Sequence, residues 1–234
     1  MKVLVLFIAM VCAIACTTTE TILDFNLVEG SINKLDSAYV IFQEQAYRFP
    51  LDAQGKGTLK MNIKEDGFAI LVYGKLSTNI YLKQGNTLKV IWDKEDWRGG
   101  KMQVVSDDGG INEYIRLNIE KSFKKATECS FTLEEDSFMD KVEQTIRELS
   151  AGIDSTNFAP EIKDILKASS KYEVLYWIYK YPRFHNFGKR MSQEEYLAFK
   201  RFNEYMFDKF EAHPEYLCLT AYREYAVNWF YELM

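Results

Sequence analysis

The period of the apolar residues changes once along this chain, at Ser106-Asp107-Asp108-Gly109-Gly110, and that change limits the folds open to it. Before it, apolar side chains recur every second residue in short segments, the period of half-buried strands. After it they recur at helical spacing. Leu59, Met61 and Ile63 alternate with Thr58, Lys60 and Asn62. Phe68 to Tyr73 is apolar on both faces and reads as a central strand. Further strands are expected at Phe25–Ile32, Ala38–Phe42, Tyr47–Leu51, Ile80–Leu82, Leu88–Trp92 and Met102–Val105. Pro50 cannot donate to a ladder and marks Tyr47–Leu51 as an edge. Gln84-Gly85-Asn86 reads as the turn of a hairpin between Ile80–Leu82 and Leu88–Trp92. Seven or eight short strands with frequent turns predict an antiparallel β-sandwich over residues 22–106, followed by an all-helical region over 107–234.

In the helical half, Ile111 to Ala126 is a first helix. Thr132-Leu133-Glu134-Glu135 and Ser192-Gln193-Glu194-Glu195 both fit a capping box, in which hydroxyl and carboxylate satisfy free amides at a helix start. The first of these helices is expected to run to about Ser150 and to end at Gly152. Pro160 suits a first turn, and Pro182 is expected to stop that helix. Tyr172, Leu175, Tyr176 and Tyr179 share one face of it. Phe199, Phe202, Met206 and Phe210 form a stripe on a single helix after Ser192. The last stripe is Tyr222, Tyr225, Ala226, Trp229 and Leu233. It reaches Met234 with its apolar face still running, so either earlier helices cover it or something beyond it does.

The other strong signal is at the start. Met1-Lys2 precedes 13 unbroken apolar residues, Val3 to Ala15. That suits a signal peptide and is short of the roughly 20 residues a membrane-spanning helix needs. The run ends Ala13-Ile14-Ala15-Cys16, small residues before a cysteine, as a lipoprotein signal peptidase requires. Residues 1–15 are therefore expected to be removed, Cys16 to carry acyl chains, and residues 16–21 to act as a tether. Two or more acyl chains anchor a protein stably. Thr17 after the cysteine favours the outer membrane, facing the periplasm. Removing the leader leaves 28 basic against 34 acidic residues, net −6, with no basic run. Nucleic acid, which wants a basic face, is excluded as a partner. The expected partners are the membrane, through the lipid, and a protein of the envelope.

Candidate chemistry is thin. Cys129 and Cys218 are the cysteines beyond Cys16, and they either pair as a disulfide or stay free thiols. No Cys-x-x-Cys occurs, so the spacing of redox and zinc sites is missing. His185 and His213 lie far apart, a poor metal pair, and no metal or cofactor is expected. Asp93, Glu95 and Asp96 read as a solvated loop; Asp107 and Asp108 read as turn and helix-cap residues. Trp92 and Trp97 flank the acidic loop. Exposed, they would offer a speculative ligand surface that stacks on sugar rings; core or loop packing explains them better. There is no Gly-x-Ser-x-Gly elbow and no phosphate-cradling glycine loop.

Phe25-x-Leu27-x-x-Gly30-x-Ile32, Gly57-x-Leu59, Ile80-Tyr81-Leu82-x-x-Gly85-x-x-Leu88-x-Val90 and Asn112-Glu113-Tyr114 together resemble the N-terminal region of Bacteroidetes-type thioredoxin-like thiol-disulfide oxidoreductase lipoproteins, a domain of unknown function. The resemblance spans about residues 22–125. It implies a sandwich and helices preceding a thioredoxin domain with a Trp-Cys-x-x-Cys site. That site is lacking here, so no catalytic residue is carried over. The expected function is a non-catalytic accessory or binding lipoprotein of the envelope. The alternatives are a truncated portion of such an oxidoreductase and, third, a glycan-binding sandwich.

Overall fold

The computed structural model describes residues 20–28, 35–93, 102–185, 192–208 and 212–232. Eight strands precede the helices: β1 (Thr21–Leu27), β2 (Ser37–Phe42), β3 (Gln45–Pro50), β4 (Lys56–Met61), β5 (Gly67–Tyr73), β6 (Leu76–Leu82), β7 (Thr87–Trp92) and β8 (Gln103–Val105). They form two four-stranded sheets, ordered β4-β1-β7-β8 and β3-β2-β5-β6. Alternation explains the sandwich. Leu23, Phe25 and Leu27 on β1 and Leu88, Val90 and Trp92 on β7 point inward, against Ala38, Val40, Phe42, Ala69 and Leu71 of the facing sheet. Their neighbours Asp24 and Thr58 face out and share a hydrogen bond of 2.9 Å across the register pair.

β5 lies centrally and β3 at an edge, as the sequence predicts. Three strand expectations are corrected. First, the first strand begins at Thr21, earlier than Phe25, and ends at Leu27. Second, β1 and β7 run parallel, with Phe25 opposite Val90, so the sandwich is antiparallel-rich rather than wholly antiparallel. Third, β6 and β7 are not a hairpin. The turn at Gln84-Gly85-Asn86 carries the chain from one sheet to the other. The Thr21 hydroxyl holds this corner, donating to the Lys83 carbonyl and accepting from the Gly85 amide at 3.0 Å. Gly57 is set by close approach, since a Cβ there would lie 2.4 Å from the Pro50 carbonyl oxygen.

The helical region comprises α1 (Ile111–Thr127), α2 (Glu135–Asp154), α3 (Pro160–Ile178), α4 (Tyr181–His185), α5 (Gln193–Leu197), α6 (Lys200–Asn203), a π turn (Glu204–Asp208), a 3-10 turn (Pro214–Cys218) and α7 (Thr220–Glu232). Asp108 starts α1, its carboxylate accepting from the Gly110, Ile111 and Asn112 amides. α3 is the hub: Phe138, Met139 and Val142 of α2 pack on one side of it, and Tyr222 and Tyr225 of α7 on the other. The Tyr172 ring meets Tyr222 edge-on at 4.7 Å, which covers the N-terminal part of the last aromatic stripe.

The capping box at Ser192 forms, with Ser192 and Glu195 bonded reciprocally. The one at Thr132 does not. The Thr132 hydroxyl bonds Ser130 at 2.7 Å, and α2 begins two residues later than a box there requires. α2 also continues through Gly152 to Asp154. Burial of Leu149 and Ile153 outweighs the roughly 1 kcal/mol helix cost of one glycine. α3 ends at Ile178, and Pro182 occupies the first turn of the new helix α4. The single helix expected from Ser192 onward is broken at Ala198-Phe199 into α5, α6 and the π turn, and Phe210 of its stripe lies outside the described residues.

Candidate functional site

The helices dock on the outer face of the β3-β2-β5-β6 sheet, at β6. Tyr81 and Phe68 meet Ile111, Ile115 and Ile119 of α1 in a separate apolar cluster. A strand at a sheet edge leaves backbone groups unpaired, and a side chain satisfies them here. The buried Asn112 amide accepts from the Tyr81 backbone N–H at 2.8 Å and donates to the Tyr81 carbonyl at 2.7 Å. Two residues earlier on β6, the Asn79 amide donates to the Cys218 carbonyl at 2.7 Å and accepts from the Thr220 backbone N–H at 3.2 Å. The two asparagines thus fasten α1 and α7 to one strand. Neither was singled out from sequence for this role. For Asn79 the signal available was a polar residue directly before the apolar segment Ile80–Leu82.

Beside this junction lies a cleft of about 290 Å³ between the β2–β3 and β4–β5 turns and the 3-10 turn. Glu44, Glu65, Asp66 and Glu215 line it, with Arg223 and Cys218. Gln43 and Glu44 both adopt positive φ, 49° and 63°, the geometry of a tight two-residue hairpin turn. Gln43 Nε2 donates to Glu65 at 2.6 Å, tying the two turns together. Arg223 Nε donates to the Leu217 carbonyl at 2.5 Å, and the Cys218 thiol to the Glu215 carbonyl at 3.3 Å. A second groove of about 340 Å³ runs between α2, α3 and the 3-10 turn, lined by Lys167, Lys171, His213 and Tyr216. Lys167 is paired there with Asp154 at 2.5 Å.

Both thiols are free. Cys129 is buried, its sulfur 3.9 Å from the Thr145 hydroxyl and 3.8 Å from the Lys125 carbonyl. Cys218 is half-buried. Burial pushes both thiols up from their ordinary range and so favours the protonated form over the thiolate. A redox thiol needs the opposite shift.

Trp92 follows its packing reading, and the speculative stacking surface loses it. It is fully buried in the sandwich core, its ring T-shaped against Phe25 at 6.4 Å. Trp97, Glu95, Asp96 and Cys16 lie outside the described residues. His185 and His213 are not brought together. His185 Nδ1 lies 3.1 Å from the Phe131 carbonyl, with the ring against Tyr181 and Phe199. His213 Nδ1 contacts the Glu215 carboxylate at 2.9 Å. Among the described residues, no three His, Cys, Asp or Glu side chains are grouped so as to hold a metal ion. No helix among them is long and apolar enough to cross a membrane. No protein-family model matches the chain, nor does any curated protein or solved structure.

Proposed function

We propose that the chain is a non-catalytic lipoprotein of the cell envelope, held by acyl chains on Cys16, facing the periplasm from the outer membrane, and serving as an accessory or binding module for an envelope protein. One observation carries this reading. Thr21, five positions after Cys16, is already buried and locked by its hydroxyl into the β6–β7 corner. Little chain therefore separates the proposed lipid from a body whose thiols are shifted toward the protonated form. Such a body suits presentation of a fixed surface better than thiol exchange.

Detergent phase partition of the full chain, expressed in a bacterial envelope, tests the reading. The wild type is expected in the detergent-rich phase and Cys16→Ala in the aqueous phase. Wild type in the aqueous phase would overturn the anchor. Disulfide reduction in an insulin assay, lost in Cys218→Ser or Cys129→Ser, would overturn the non-catalytic part. A reading frame downstream of residue 234 encoding Trp-Cys-x-x-Cys would instead favour the accessory portion of a thiol-disulfide oxidoreductase, the resemblance its strands carry. A glycan-binding role is left without Trp92, whose ring no sugar reaches.

A further inference from the structure

We propose that one end of the sandwich, formed by the β2–β3, β4–β5 and β6–β7 turns, is the surface apposed to lipid headgroups. This rests on the Cys16 anchor proposed above. The start of β1 is pinned in that end. Thr21 lies opposite Met61, the last residue of β4, and its hydroxyl is bonded between Lys83 and Gly85 of the β6–β7 turn. The Gln84 amide in turn donates to Asp66 of the β4–β5 turn at 2.8 Å, and Gln43 reaches Glu65. Three turns and the root of the tether are therefore one connected surface.

The tether cannot turn the body over. Residues 16–20 extend at most about 17 Å. A body of this length has a radius of gyration of about 17 Å. Presenting the opposite end, at Gln54 and Gly55, would require the tether to run the full length of the sandwich. β1 alone spans about 20 Å at strand rise.

The character of the surface sets the depth. The exposed side chains of its three turns are Gln43, Glu44, Asn62, Lys64, Glu65, Asp66 and Gln84. None is apolar, so this end rests at headgroup level without inserting. Lys64 is outweighed by the carboxylates beside it, so orientation comes from the tether and not from attraction to anionic lipid. The junction cleft is lined from the same end by Glu44, Glu65 and Asp66, so a partner filling it is met beside the bilayer.

Site-specific fluorescence quenching tests this. The full chain, purified with its anchor and carrying Cys218→Ser, is labelled at Asn62→Cys or Lys64→Cys on the near end and at Ala53→Cys or Gln54→Cys on the far end. It is then placed in phosphatidylcholine vesicles bearing a nitroxide on the headgroup. Quenching is expected several-fold stronger at both near positions and unchanged by salt. Equal or reversed quenching, with the lipid present by mass, would overturn the orientation. A contrast that vanishes at high salt would overturn its origin in the tether. A terminus without fatty acid would instead remove the anchor, and the orientation with it, so the two failures are distinguishable.

Discussion

Asn112 pairs with both backbone groups of Tyr81, completing the edge of a sheet with a side chain from the first helix. The same amide donates to Asp108, whose carboxylate caps that helix. A single residue therefore closes the sheet edge and connects it to the helix start.

Asn112→Ala leaves the Tyr81 N–H and C=O buried without partners. Each orphaned group costs about 1–3 kcal/mol, so a loss of about 2–6 kcal/mol is expected. Urea unfolding checks it, and loss of stability should be accompanied by faster hydrogen exchange along β6.

Trp92→Ala should lower stability by about 3–5 kcal/mol, the cost of emptying a large site in a packed core. The same urea experiment reads it. Tryptophan fluorescence of the wild type should stay unchanged across a panel of glycans.

Gly57→Ala places a methyl group against the Pro50 carbonyl, where backbone rather than a flexible side chain must give. Forcing a group into such a space costs about 1–3 kcal/mol. A fall in the urea midpoint with an unchanged slope is the expected result.

These three sites differ in how far the sequence disclosed them. Trp92 fits the inward face of an alternating strand, and Gly57, which lies within β4, was visible only in the Gly57-x-Leu59 pattern of the resemblance. Asn112 was visible only as part of a resemblance. Periodicity states which face of a strand is apolar but not which strand lies beside it. That is why β6 and β7 look like a hairpin in sequence and are split between sheets. It is also why the parallel pairing of β1 with β7 was not foreseen. Cap motifs are equally local. Ser192 and Thr132 head similar tetrapeptides, yet only Ser192 caps a helix, from an extended backbone, while the Thr132 hydroxyl bonds Ser130 and the helix begins at Glu135. The break at Ala198-Phe199 has no proline or glycine to announce it. The sidewalls of the junction cleft come from segments more than 100 residues apart, which no local pattern relates.

Alkaline pH should unfold the protein through its buried phenols. The Tyr181 hydroxyl donates to the Leu133 carbonyl at 2.8 Å, and burial, with Glu135 and Glu134 nearby, pushes its pKa up to about 12. Burial also raises Tyr225. A raised folded pKa gives stability that is complete below the unfolded value near 10 and is lost as pH rises through the folded one. Melting temperature is therefore expected to fall from about pH 10 upward. Tyr181→Phe should flatten that slope while lowering stability at neutral pH by the lost hydrogen bond.

Thiol labelling should separate the two free cysteines. In the native protein a maleimide or aromatic disulfide at mildly alkaline pH is expected to react slowly at Cys218. Cys129 should react only after denaturant is added, because it is buried and its thiol is shifted toward the protonated form. Rapid native labelling of both would contradict the burial of Cys129.

Acylation of Cys16 is the premise of both the proposed location and the proposed role. Mass spectrometry of the N-terminal peptide, from protein made in its native host and recovered with membranes, tests it directly. The predicted result is a peptide beginning at Cys16 and carrying diacylglycerol on its sulfur. A peptide retaining Met1, or one beginning at another residue without fatty acid, would contradict it.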